Sequence, residues 1–373
     1  MWNKILQFLH IKKKPQDQED ASNGLLTAEP EVRPEYEEGY YEESDTIIRL
    51  VSTSKSRKNK EAYQITGIDD VASSNNWKGW LYLAPVIVLI SVFLLYPLVN
   101  TIFIAFAKDY EYATGHFSNV TLRNFGEIFG IIETKGGGTE TFFTKYAIPN
   151  TFIITFVTVP VSIVLALIIS VALNSIKWFQ KTLQTVFFLP YVTNAMAVGL
   201  VFSVLFDKEG VINFIFGINK VWIYGAERAD AFIPLCFFIV WNSIPFKILI
   251  FLSGLQGIDK QYYQAAQIDS CPKWKVLTKI TVPLLSPQIL YIMITSFIGS
   301  FKEYTSVVSI FGGPGTYGAT STDKNMETIV YYVYDNVEAG FTSRAAAAGV
   351  FLFVIVLVFT FIQMKVSKSR VHY

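Results

Sequence analysis

The sequence predicts an all-α, polytopic membrane protein of six transmembrane helices, with a polar cytoplasmic loop ahead of the fifth. Three observations predict it. Of 373 residues, 51% are hydrophobic and only 16% charged, with mean hydropathy +0.37, where a soluble domain carries about 25% charge. Six apolar segments, at about 81–106, 147–174, 182–206, 231–257, 284–311 and 345–364, come near the roughly 20 residues that spanning hydrocarbon requires. Lys and Arg are unevenly shared between the connections. Segments 175–181, 258–283 and 365–373 carry nine basic residues in 42 positions, whereas 107–145, 207–229 and 312–343 carry eight in 94. Basic loops face the cytoplasm, which puts both termini and the 258–283 loop inside.

Residues 1–78 read as a cytoplasmic extension, and 79–373 as the membrane domain. Trp2, Ile5, Leu6 and Leu9 share one helical face ahead of Lys12-Lys13-Lys14, which suits an interfacial helix over 2–14. Gln16 to Asp45 is acidic, with too few aliphatics to build a core. Lys55, Arg57, Lys58, Lys60 and Lys78 then place positive charge before the first span. No signal-peptide pattern opens the chain, so insertion is expected to rely on the internal spans.

The spans carry landmarks in order. Ala84-Pro85 and Tyr96-Pro97 lie in the first, Asn150-Thr151 opens the second, and Phe188-Leu189-Pro190 lies in the third. The fourth holds Trp241 and Pro245-Phe246, with Gly254-Leu255-Gln256 at its end. Gly312-Gly313-Pro314-Gly315 follows the fifth and reads as a turn. Between the fourth and fifth spans, residues 258–283 are too polar for a bilayer, yet patterned like two short helices, which suits a docking surface.

Several function classes are excluded. The three histidines, His10, His116 and His372, offer no metal-ligand spacing and no base for a nucleophile. No Gly-x-x-x-x-Gly-Lys-Ser/Thr loop occurs to cradle nucleotide phosphates. A net charge of +1 gives no case for nucleic acid. Cys236 and Cys271 fall in a span and in the polar loop, so no disulfide is expected.

With these landmarks in place, residues 80–366 resemble the inner-membrane permease subunits of binding-protein-dependent ABC importers, most closely the maltose and oligosaccharide type. That family's loop reads E-A-A, two residues, D-G, then a hydrophobic pattern closing on Pro. Here it stands as Gln264-Ala265-Ala266-Gln267-Ile268-Asp269-Ser270, then Trp274, Leu277, Ile280 and Pro283. The resemblance implies that these residues form a coupling loop to an ATPase. It also implies a second, related permease, two ATPase subunits that hold the ATP and Mg, an extracellular solute-binding protein, and a bacterial cytoplasmic membrane. The chain itself needs no cofactor and is no enzyme. The implied cargo is a carbohydrate such as an oligosaccharide; a non-sugar solute and a membrane receptor or scaffold are the alternatives. Two departures stand out. Gln264 replaces the family's Glu and removes a charge, and Ser270 replaces its Gly, where a left-handed turn is less comfortable.

Polar side chains inside spans usually face a cavity or the bundle interior. In the fifth span Ser296, Ser300, Glu303 and Tyr304 fall at helical spacing, with Phe301 and Lys302 adjacent. Tyr191, Asn194, Trp241 and Asn242 add hydroxyl, amide and aromatic groups from the third and fourth. Such a mix suits a sugar, with its hydroxyls and apolar C–H faces. The competing reading gives Ser296 and Ser300 to close helix packing, Asn194 and Asn242 to packing between helices, and has Lys302 and Glu303 pair or reach the outer interface. Lys247, near the cytoplasmic end of the fourth span, is expected to snorkel.

Overall fold

The computed structural model describes residues 76–134, 138–139, 141–176, 180–223, 225–312 and 326–367. The expected interfacial helix at 2–14, the acidic stretch, the basic cluster at 55–60 and residues 313–315 of the glycine turn lie outside them. In chain order, α1 (Gly79–Phe106) and α2 (Arg123–Ile128) precede α3 (Phe143–Ser175), followed by α4 (Thr182–Val192) and α5 (Ala195–Leu205). Then come α6 (Val211–Phe216), α7 (Arg228–Gln256), α8 (Lys260–Ile268) and α9 (Lys273–Leu284). The chain continues through α10 (Ser286–Phe301), α11 (Thr305–Phe311), α12 (Ile329–Glu338) and α13 (Thr342–Ser367).

Four helices, α1, α3, α7 and α13, are each long and apolar enough to cross a membrane. The pairs α4–α5 and α9–α10 pass the same test together but bend by 93° and 69°. By length and composition the count is four, or up to six if each bent pair supplies one span, α10 being the apolar member of the second pair.

Two of the expected segments are each divided, 182–206 between α4 and α5 and 284–311 between α10 and α11. The first break lies at Thr193-Asn194, just after Pro190. The Thr193 hydroxyl turns back to donate to the Pro190 carbonyl at 2.8 Å, and Asn194 Oδ1 accepts from Met196 N at 2.9 Å to cap α5. A side chain that caps a new helix competes with continuing the old one. In the other segment α10 stops at Phe301. Glu303 Oε1 accepts from Ser306 N at 3.0 Å, which opens α11, and Thr328 Oγ1 donates to the Glu303 carbonyl at 2.8 Å. Hydropathy averages over such breaks because both flanks are apolar.

Proline also leaves a second signature. π-helical turns at Ser91–Leu95, Phe143–Ala147 and Leu277–Thr281 each end one residue short of an X-Pro pair: Tyr96-Pro97, Ile148-Pro149 and Val282-Pro283. Proline removes an N–H and crowds the carbonyl four residues back. Widening the preceding turn moves that carbonyl aside without ending the helix.

Helices α3 and α7 form the frame. Arg228 bonds Asn150 at one end, and Ser170 Oγ reaches the Ile248 carbonyl near the other, each pair 78 positions apart. The two helices thus run parallel and in register. Their contact uses small and hydroxylated residues, with Thr158, Ser162, Ala166 and Ser170 all buried, as close approach in lipid requires. At the loop end, α3 and α7 pack on α10 through Leu173, Ile248, Phe251, Leu285 and Ile292. At the other end α5, α7 and α11 meet around Phe202, Leu235, Phe238 and Phe311. Gly199 allows this, because a Cβ there would overlap the Ser309 side chain. A third cluster joins α1, α3 and α13 through Ile104, Phe143, Phe301 and Ala346–Ala348.

Candidate functional site

The frame leaves a polar cavity of about 420 Å³ between α3, α4, α7 and α10. Thr158 and Ser162 reach it from α3, and Tyr191 from α4. Asn242, Ser243 and Lys247 come from α7, and Thr295, Ser296, Gly299 and Ser300 from α10, with Glu303 just beyond. Thr158 and Ser300 meet hydroxyl to hydroxyl at 3.5 Å. The wall mixes hydroxyls, one amide, Lys247 and Glu303 with apolar Val159, Ile239 and Phe246, on which the Tyr191 ring stacks at 5.9 Å. Such a wall can hydrogen-bond a polyol and pack against its C–H faces.

The sequence candidates divide. Tyr191, Asn242, Ser300 and Glu303 line this cavity. Asn194 instead caps α5. Trp241 faces a separate apolar groove of about 530 Å³ with Phe187, Pro190 and Pro245. Phe301 is fully buried and packs against Phe152 and Phe359. The Tyr304 ring packs at a tilt against Tyr331 and Tyr334, with centroids 5.3 and 5.2 Å away. Glu303 and Tyr304 were expected on the fifth helix; they lie after its end, because the chain breaks at Lys302. Sequence reading missed Thr158, Ser162, Ser243 and Thr295. A signal existed for the first two, since Thr155, Thr158 and Ser162 form a polar stripe at spacings of three and four in an apolar segment.

Lys247 does not snorkel. Its residue is 4% exposed and lines the cavity.

The loop before α10 builds a second surface. Asp259 caps α8 by accepting from Gln261 N at 2.9 Å. Ala266 is buried, while Gln264, Ala265 and Asp269 are exposed. Ser270 takes φ +50°, the left-handed conformation that closes α8, with Cys271 N returning to the Ala266 carbonyl at 2.9 Å. Tyr263 Oη lies 3.3 Å from Thr281 Oγ1 and ties the two short helices together. Pro283 stands in the last turn of α9, just before the 69° bend. Three large apolar side chains are left uncovered: Tyr262 at 53%, Trp274 at 74% and Ile268 at 84% exposure.

A buried polar knot lies at the far end of the frame. Asn150 Oδ1 accepts from Arg228 at 2.6 Å, and its Nδ2 donates to the Glu327 carbonyl at 2.8 Å. Thr151 Oγ1 accepts from Ile329 N at 3.0 Å. Nearby, Glu127 binds Arg344 at 3.0 Å and Arg123 at 2.8 Å, joining α2 to α13.

Residues 162–372 match the family described as binding-protein-dependent transport system inner membrane component. The chain belongs to that family. As a permease it is an inner-membrane component with several membrane-spanning helices, and it is not itself catalytic. Among its relatives, the lactose transport system permease protein LacF of Rhizobium radiobacter is 29% identical over 299 residues, covering 78% of this chain and 94% of that one. The arabinooligosaccharides transport system permease protein AraP of Bacillus subtilis (strain 168) is 28% identical over 334 residues, covering 86% and 98%. The permease fold also matches a chain in the crystal structure of a bacterial alginate ABC transporter with an alginate pentasaccharide-bound periplasmic protein. There the TM-score is 0.63 at 20% identity, over 78% of this chain and 93% of that chain.

Proposed function

We propose that this permease forms half of an alternating-access pathway for a carbohydrate, an oligosaccharide in particular, within an ATP-driven importer. The observation that carries this reading is the uncovered helical knob of α8 and α9. Tyr262, Ile268 and Trp274 expose apolar area that a partner would bury at about 25 cal/mol per Å², around the small residues Ala265 and Ala266. The chain has no phosphate-binding loop of its own, so the motor that docks there is a pair of separate ATPase subunits holding ATP and Mg. A knob that receives such a motor lies in the cytoplasm, and both termini lie there with it, in line with the density of basic residues. A second permease completes the pathway, and a solute-binding protein docks on the opposite side.

The hydroxyl-lined cavity, together with the sugar transport named for LacF and AraP, supports a carbohydrate cargo. Tyr191, Asn242, Ser300 and Glu303 are the contacts proposed for it. Gln264, Ala265, Ala266, Asp269, Ser270, Trp274 and Pro283 form the ATPase-coupling surface.

Asp269→Lys, or deletion of 264–270, should abolish ATP-dependent uptake in proteoliposomes of the assembled importer while the permease stays in the membrane. Normal uptake by either variant would falsify the coupling role.

A further inference from the structure

Lys247 is the observation that the carbohydrate reading leaves unexplained. Its residue is 96% buried and lines the polar cavity. Among the described residues it has no hydrogen bond and no ion pair. Its ammonium opens into that cavity, and a cation inside a membrane bundle that meets no counter-charge is costly. Replacing it with any of the apolar residues around it would remove that cost.

The groups around it do not compensate the charge. The cavity residues nearest Lys247 in helical register, Ser243 on its own helix with Thr295 and Ser296 on α10, are neutral hydroxyls. Tyr191 on α4 and Ser162 on α3 are neutral too. The one carboxylate among the lining residues is Glu303, and its Oε1 already accepts from Ser306 N. Register also separates the two charges. Thr158 meets Ser300, and a Cβ on Gly254 would meet Leu285 and Gln288, so α10 runs antiparallel to α3 and α7. Lys247 then falls level with residues near 292, about nine residues or roughly 13 Å along the axis from Phe301, the end of α10, beyond which Glu303 lies. The cavity is therefore cationic toward the cytoplasmic side and acidic at the opposite end.

We propose that Lys247 selects sugars that carry a negative charge, a carboxylate or a phosphate, by supplying the cation that meets this charge inside the cavity. The inference rests on the carbohydrate reading above. An ammonium brings three rotatable donors to a single point. It pairs with an anionic oxygen and leaves the surrounding hydroxyls to the ring. A neutral sugar would leave its charge uncompensated.

The test uses the complete importer in proteoliposomes, with second permease, ATPase subunits and solute-binding protein present. The probes are trigalacturonate, glucose 1-phosphate and maltotriose. The native protein should import at least one anionic probe, and which one it imports separates carboxylate from phosphate. Lys247→Met should lower that uptake at least tenfold more than it lowers uptake of maltotriose, and Lys247→Arg should restore part of it. Assembly is checked by co-purification of the second permease. If the native importer carries only maltotriose, this inference falls and the carbohydrate reading stands. If it carries none of the three, both fall. Poor assembly of Lys247→Met, with equal loss for every probe and with Lys247→Arg active on maltotriose alone, would mark an interface residue and overturn the proposal.

Discussion

Helices α3 and α7 differ from the bent segments α4–α5 and α9–α11 in how each is specified. The α3–α7 pair is long, parallel and in register, and held at its ends by side-chain bonds from Asn150 and Ser170. In the bent segments α5 restarts on the Asn194 side chain and α11 behind Glu303, while α10 restarts at Leu285 with no side-chain cap. The contrast teaches that one seam of many small contacts sets the frame, while a few polar side chains set the shape of the cavity wall. Breaks in the wall depend on local chemistry, whereas the frame depends on residues far apart in sequence.

This contrast can be broken by mutation. Asn150→Ala should have the largest effect, since it strips Arg228 of a buried acceptor and the Glu327 carbonyl of its donor. A loss of about 3 kcal/mol is expected, read as a drop in the thermal unfolding midpoint of the purified permease complex. A change no larger than that from cap removal would mean that the frame is not held at its ends.

Gly199→Ala comes next, because the new Cβ meets the Ser309 side chain across the α5–α11 contact. Overpacking there should cost about 1–3 kcal/mol, and Ser309→Gly should restore most of it in the double variant. Failure of that rescue would show that the close approach is not the cause.

Removing the cap has the smallest expected effect. Asn194→Ala deletes one bond to Met196 N and should cost about 1 kcal/mol, without loss of insertion or complex assembly. A collapse of assembly would make the bend a determinant of the frame and erase the distinction drawn above.

The legibility of the chain follows the same division. All six apolar segments could be read from hydropathy, because burial in lipid needs only length and apolarity. The two short helices of the 258–283 loop were readable too, as was the left-handed position at Ser270, now seen at φ +50°. The breaks at Asn194 and Glu303 were not read, although both residues had been singled out. Their polarity within apolar runs suggested a ligand, and each side chain instead accepts a backbone N–H. Tyr304 was read by helical spacing and lost that footing when the helix ended, and Phe301, read by adjacency, faces the core instead. Lys247 was placed by depth alone, which does not tell which way a long side chain turns. Thr158 and Ser162 were within reach of the same polar-stripe reasoning, had it been applied to the second span.

The reach of α3 has a consequence for the lipid around it. From Asn150 to Ser175 the axis rises about 38 Å, against hydrocarbon about 30 Å thick. A tilt of about 20° shortens that only slightly. At least one end of α3, at Ser175 or at the Asn150–Arg228 knot, therefore projects past the hydrocarbon. A bilayer with longer acyl chains would draw that projecting end deeper, so the thickness of the host membrane should tune how firmly the frame is fastened.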